Sequence, residues 1–346
     1  MDTTKDITHL EDMFRDLEKC SSLYRPSKFW IRLNSQHRDQ LQTSGLKNFK
    51  RSVNRKYFNW GLLGIIAHGL TPIIYSLLHG SFFTLRKGQF ENYHKNGSEG
   101  LEYFSSLTAY LYKIYVCSLF DYVSLTDKSG VLRKLSEPGV GNPFCIRYKG
   151  RSVSQDLCNS AHEFNSICSS IDSLKIKNIL EIGAGYGRLA FIFLKMSPHV
   201  TYTIVDIPPA LYVAEWYLTK VFAKEKIFHY RKFTSYKQIK SEYESSRIRF
   251  LMADQIKLLP KKYFDLSLNI SSLHEMGRNQ IKSYLVQIDR VSGGHFYTKQ
   301  WNRSITSDNS YIKQHEYPIP KNWELVYSRY PHPIQRWFFD ALYKIN

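Results

Sequence analysis

No Cys-x-x-Cys pair occurs in this sequence, and its five cysteines (Cys20, Cys117, Cys145, Cys158 and Cys168) fall in no Cys/His pattern with zinc-finger spacing. That odd, scattered set excludes a disulfide-stapled secreted fold and fits a reducing compartment. Residues 1–18 mix charges and contain no apolar core of a signal peptide, so no secretory signal is read there. Internal repeats and low-complexity tracts are absent too, which excludes solenoids and arrays. Acids are scarce: 30 Asp+Glu face 48 Lys+Arg, for a formal net charge of +18. Such an excess points to acidic partners, whether nucleic acid, anionic lipid headgroups or acidic and phosphorylated glycans.

What is present is ordinary globular chemistry. With 346 residues, 43% hydrophobic and 23% charged, the chain can bury one large core or two smaller ones. Residues 57–85 carry no Asp, Glu, Lys or Arg. Their length would permit a membrane span, but Gly61, Gly64, Gly69, Pro72 and Gly80, with His68 and His79, break the apolar run. Two buried helices interrupted near residues 69–72 are the better reading, with His68 and His79 as core histidines. Upstream, residues 25–56 hold nine basic residues and a single acid, Asp39, so peripheral contact with an anionic membrane stays open.

Residues 1–135 read as mainly helical. EPGVGNPFCIRYKG (137–150) is loop chemistry and marks a boundary, giving a helical substrate or cap region over 1–135 and a second domain over 136–346. Ser154 or Asn159 can cap the next helix. From Lys177 strands alternate with helices: KNILEIG, TYTIVDI, IRFLMA, FDLSLNI and GGHFYTKQ, then a closing hairpin from WELVYSRY and WFFDALYKI. Regular β-α alternation predicts an α/β, doubly wound, Rossmann-like sheet.

ILEIGAGYGRLA carries the chemistry. Glu181 precedes a turn with Gly183, Ala184, Gly185 and Gly187, set between a strand and a helix, where backbone can approach a ligand closely. The spacing G-x-G-x-G differs from the dinucleotide fingerprint, because Arg188 stands where its third glycine would fall. Asp206, ending the next strand, lies 19 residues after Gly187 and can accept both hydroxyls of a ribose.

These features, with Asp254 after the third strand and FDLSLNI as the fourth, resemble class I S-adenosylmethionine-dependent methyltransferases. GVGNP, SQDLCNSAHEF, LEIGAGYGR, YTIVDIPPALYVAEWYL and SLHEM more narrowly resemble bacterial sugar O-methyltransferases encoded among polysaccharide-synthesis enzymes. The resemblance implies a seven-stranded methyltransferase sheet, with S-adenosyl-L-methionine held by Glu181, Gly183, Ala184, Gly185, Gly187, Asp206, Ile207, Asp254 and Asn269. Tyr148, Ser154 and Glu163 are weaker candidates for the methionine end.

Base methyltransferases place Asn or Asp, Pro-Pro and an aromatic after strand four. Here that position reads Asn269-Ile270-Ser271-Ser272, so nucleic acid is an improbable substrate and the pair Pro208-Pro209 is a decoy on strand two. SLHEM instead matches the site where small-molecule O-methyltransferases carry a basic histidine. The resemblance thus makes His274 the general base, with Glu275 orienting it or touching substrate. Lys299 and Trp301 are expected at the cleft edge, and His332 in a loop. No metal is expected. The resulting expectation is a cytoplasmic enzyme methylating a sugar or glycan hydroxyl, nucleotide-activated or lipid-linked, with contact at the inner membrane and a homodimer left open. The alternatives are methylation of another small molecule or RNA, and a scaffold that keeps the cofactor fold without activity.

Overall fold

IRFLM becomes a strand buried along its whole length, and FDLSLNI, although it alternates apolar and polar residues, is buried on both faces from Leu266 to Ile270, as parallel sheets require. The computed structural model describes residues 3–52, 71–79, 89–91, 106–305 and 311–346. Of the charge-free segment 57–85, only 71–79 falls within them, and His68 lies outside. Among the described residues no helix is long and apolar enough to cross a membrane.

In chain order the first elements are α1 (Thr3–Leu17), α2 (Lys28–Ser44), α3 (Phe49–Ser52), α4 (Thr71–Leu78), β1 (Gln89–Glu91), α5 (Ser106–Ser124) and α6 (Val131–Lys134). Next come β2 (Cys145–Tyr148), β3 (Arg151–Val153), α7 (Gln155–Cys168), β4 (Asn178–Ile182), α8 (Arg188–Met196), β5 (Thr201–Asp206) and α9 (Ala210–Val221). The remainder are β6 (Ile227–Phe228), α10 (Tyr236–Ser245), β7 (Ile248–Met252), β8 (Phe264–Ile270), α11 (Arg278–Val291) and β9 (Ser292–Trp301). A small pair, β10 (Arg303–Ile305) and β11 (Tyr311–Lys313), precedes β12 (Glu324–Arg329) and β13 (Phe338–Lys344).

Two compact units result: Met1–Arg38 with Ser170–His332 and Trp337–Asn346, and Asp39–Ser169 with Pro333–Arg336. They do not follow the boundary that the loop at 137–150 implies, because the first 38 residues go with the sheet.

The first unit is built on an eight-stranded sheet in the order β12-β13-β9-β8-β4-β5-β7-β6. Strands β4 to β9 run parallel, while β13 is antiparallel to both β9 and β12, forming the closing hairpin read from the sequence. The sequence predicts seven strands. The eighth is β6, two residues beside Ile248 and Arg249, too short to leave a periodic signal. Successive strands step outward from β4 to β5 and β7, and the chain then crosses back to β8 on the other side of β4. The order therefore reverses between β4 and β8, and the crevice at the strand ends there is where such sheets bind ligands.

The second unit holds α3 to α7 and a three-stranded antiparallel sheet in the order β1-β2-β3. Its interior contains a buried ion pair, Lys50 Nζ to Glu137 Oε1 at 2.6 Å. Ser154 Oγ donates to Glu137 Oε2 at 2.7 Å and accepts from the Leu157 N–H at 3.0 Å, capping α7.

Candidate functional site

The turn after β4 is shaped by what its glycines face. Gly183 has φ 72°, and a Cβ there would lie 2.2 Å from Ser272 Oγ, so the loop after β8 abuts it directly. Gly185 has φ 61°, and a Cβ there would meet no atom within 4 Å. Gly187 serves packing: its Cβ would press on Leu218 Cδ1 at 2.9 Å, and its N–H donates to the Ala184 carbonyl at 3.1 Å. Glu181 is buried inside the sheet and accepts from Tyr202 Oη at 2.7 Å.

Asp206 sits beside this turn at the end of β5. Its Oδ2 accepts from the Gly185 N–H at 3.0 Å and its Oδ1 from the Ile207 N–H at 2.8 Å. Burial pushes the carboxyl up to about 7, against the pull of the Ile207, Gly185 and Ala184 amides. Asp254, the second residue after β7, lies near Cys20, whose thiol donates to the Asp16 carbonyl at 3.5 Å and is pushed up to about 12 by burial and by the Asp254 charge. The segment after α1 thus reaches the strand ends, where Tyr24 also meets Tyr284 edge to face at 5.6 Å.

Beyond β8 the chain turns through Ser271, a non-glycine residue at φ 56°. This costs of order 1 kcal/mol and brings His274 back over the strand end. Asn269 is fully buried, with Nδ2 donating to the Ile182 carbonyl at 2.9 Å and Oδ1 accepting from the Leu273 N–H at 3.1 Å. Its amide stitches β8 to β4 at the crevice. His274 is buried, its Nδ1 is 2.9 Å from Gln300 Oε1, and burial lowers its pKa to about 4. Glu275 Oε1 is 3.8 Å from His274 Nε2, and Glu275 Oε2 accepts from Trp30 Nε1 at 3.0 Å. Burial pushes Glu275 up to about 8, opposed by the Trp30 hydrogen bond and reinforced by the charge of Asp206.

Gly183, Gly185, Asp206, Asn269, His274 and Glu275 therefore gather at the ends of β4, β5 and β8. Tyr148, Ser154 and Glu163 belong to the second unit, where Tyr148 Oη donates to Asp121 Oδ2 at 2.8 Å and Glu163 is fully buried on α7. Lys299, expected at a cleft edge, is instead buried in β9 with its ammonium 5.5 Å from the Phe338 ring centre. Both faces of this part of β9 are covered, so consecutive residues from Phe296 to Gln300 are buried whatever their charge. Trp301 does stand beside His274, ring centres 5.7 Å apart, and its buried indole N–H has no hydrogen-bond partner among the described residues. His332 is buried after β12, whereas His79, expected in a core, is exposed just past the end of α4 and stacks on Tyr75 at 4.2 Å. No group of three or more metal-ligating side chains forms among the described residues. Trp30 and Gln300 are site residues that sequence reasoning missed. Trp30 lies in a stretch read for its charge, and a glutamine inside a strand gives no signal.

No protein-family model and no curated protein matches the chain. Similar solved structures include PigF with SAH (17% identity, 54% of this chain and 58% of that chain, TM-score 0.34). A SAM dependent methyltransferase from Aquifex aeolicus (12%, 52% and 93%, TM-score 0.32) is another. So is Haemonchus contortus phosphoethanolamine N-methyltransferase 1 in complex with phosphoethanolamine and S-adenosylhomocysteine (15%, 54% and 42%, TM-score 0.33). The chain spans under two thirds of the length of PigF and of the Haemonchus protein.

Proposed function

We propose that the chain is an S-adenosylmethionine-dependent O-methyltransferase whose acceptor is a sugar hydroxyl on a nucleotide-activated or lipid-linked glycan. The observation that carries this is the meeting of Gly185, Asp206 and His274 at the ends of three adjacent parallel strands, where the strand order reverses. The residues fit the cofactor: the backbone at Gly185 is open to a ligand, and the Asp206 carboxylate, though held by amides, keeps lone pairs for hydroxyl donors. When bound, the cofactor supplies an electrophilic methyl group. An alcohol becomes a competent nucleophile only as its proton leaves, and His274, kept neutral by burial, is the group proposed to take it. Trp301 offers an aromatic face and a donor to a sugar ring. The excess of basic residues suits a phosphate-bearing carrier; within residues 25–56 Lys50 and Arg51 are buried, and the exposed Lys28, Arg32 and Lys47 support peripheral contact with an anionic membrane. The choice of a sugar rests on the sequence likeness of the GVGNP and SLHEM segments.

Calorimetry with S-adenosylhomocysteine, followed by transfer of labelled methyl to a panel of nucleotide sugars and lipid-linked glycans, tests the reading. Binding plus a methylated sugar supports it. Transfer only to another small molecule or to RNA keeps the enzyme and moves the acceptor. Failure of the folded protein to bind S-adenosylhomocysteine leaves a scaffold.

A further inference from the structure

Gln300 lies at the end of β9, one residue before Trp301, and is fully buried. Its Oε1 is 3.2 Å from the His274 backbone N–H and 2.9 Å from His274 Nδ1. Its Nε2 lies 3.0 Å from the Asn269 carbonyl, 2.7 Å from Asn269 Oδ1 and 3.0 Å from Thr298 Oγ1. Backbone groups cannot exchange roles: an amide N–H only donates and a carbonyl only accepts. The His274 N–H therefore requires the oxygen of Gln300 on its side, and the Asn269 carbonyl requires the nitrogen on the other. Flipping the Gln300 amide would set donor against donor and acceptor against acceptor. Asn269 is clamped in the same way, between the Ile182 carbonyl and the Leu273 N–H.

We infer that Gln300 is the positioning residue that fixes the tautomer of His274, holding the proton on Nδ1 and leaving Nε2 as the lone pair that receives the substrate proton. Oε1 has no hydrogen to offer, so Nδ1 must supply the one between them. Nε2 then faces Glu275 at 3.8 Å, beyond hydrogen-bond reach, and its lone pair remains available for an incoming hydroxyl. In the transfer a hydroxyl lone pair would form the C–O bond as the methyl–sulfur bond breaks, leaving that bond's electron pair on sulfur as a neutral thioether, while the hydroxyl proton passes to Nε2 and the O–H pair stays on the oxygen. Both ring nitrogens then carry hydrogen, and Gln300 continues to accept from Nδ1. The relay begins at Ile182, the residue before Gly183, so one pair of amides joins the glycine turn to the base. The inference rests on the proposed function for the word base, and on the structure alone for the tautomer.

The test separates the two. Side-chain ¹⁵N–¹H correlation spectra of the full-length protein, with the His274 signals assigned by their loss in His274→Gln, should show a pyrrole-type Nδ1 and a pyridine-type Nε2. Gln300→Leu should lose that pattern while melting natively and binding S-adenosylhomocysteine within a few-fold of wild type. Gln300→Glu keeps an acceptor toward His274 and, only while its second oxygen is protonated, a donor toward the Asn269 carbonyl, so it should restore the Nδ1–H form below the pKa of that carboxyl and not above it. Turnover on the acceptor found in the panel should fall at least about tenfold in Gln300→Leu with KM little changed, and recover in Gln300→Glu only at pH values where its carboxyl is protonated. A pyridine-type Nδ1 in the wild type, or a tautomer unaltered in a folded Gln300→Leu, overturns the inference. If Gln300→Leu fails to fold, the wild-type spectrum alone decides. The expected tautomer in a protein that methylates no alcohol would defeat the functional reading and leave the Gln300 assignment standing.

Discussion

The indole nitrogen of Trp30 donates to Glu275 Oε2 across 3.0 Å, so a side chain of α2 holds the carboxyl that follows the candidate base. The same loop is tied from below by Ser304 Oγ, which donates to the His274 carbonyl at 3.0 Å. An N-terminal segment thus contributes a contact to chemistry that the motif places more than 240 residues later in the chain.

Trp30→Phe keeps a large ring and removes the donor. The hydrogen bond favours ionised Glu275, so its loss should raise the Glu275 pKa further above about 8. Stability in urea should fall by about 1 kcal/mol, more above pH 8 than below it, since the bond is strongest to the carboxylate. A mutant that matches wild type at pH 9 would show that the contact carries no energy.

The glycines of the turn should separate folding from binding. Gly183→Ala drives a Cβ to 2.2 Å from Ser272 Oγ and should lower the melting temperature sharply, with partial recovery in Gly183→Ala/Ser272→Gly. Gly185→Ala meets no atom and should cost only about 1–2 kcal/mol for its left-handed backbone. Its affinity for S-adenosylhomocysteine, measured by calorimetry, should fall nonetheless. Equal melting temperatures for the two single mutants would contradict the geometry.

Asp206 should make stability depend on pH. Its folded pKa, about 7, lies above the unfolded value of 3.8, so the folded state binds the extra proton between them. Its contribution is fully present below about pH 4 and is lost as pH rises through 7. Glu275 acts with the same sign and His274 with the opposite one between about 4 and 6.5. The quantity to measure is therefore the stability of wild type minus that of Asp206→Asn, which should decline from pH 4 to 7 and then level off. A flat difference would show that Asp206 is not desolvated. Separately, Asp206→Ala should weaken S-adenosylhomocysteine binding by about 2–3 kcal/mol with the fold intact.

His274→Ala should hold cofactor affinity within a few-fold and lower turnover by about 10²–10⁴. The sequence alone places the titration of such a base near 6.5, but burial moves it to about 4. The base works unprotonated, so the wild-type rate should climb with pH through about 4 and be level by neutrality. That limb should be missing in the mutant. A limb centred near 6.5 in the wild type would mean that His274 is solvated during turnover.

The sequence alone determined the β-α alternation and the parallel character of the sheet, because each of its strands except the two-residue β6 is announced by its own run, while the spatial order of the strands came from the structure. It placed the Gly183 to Gly187 turn beside Asp206, since the end of one strand and the end of its neighbour must coincide in a βαβ unit. It named His274 and Glu275 from their position after β8. What only the tertiary structure decided is how these groups are held. Gln300 reaches His274 because β9 pairs with β8 in a register that sets Thr298 opposite Asn269, and a register between strands about 30 residues apart is written in no local pattern. Trp30 reaches Glu275 because the first part of its helix, up to Arg38, folds with the sheet. The titration of Asp206, Glu275 and His274 departs from ordinary values for the same reason: desolvation depends on everything packed around a group, and most of those neighbours are distant in the chain.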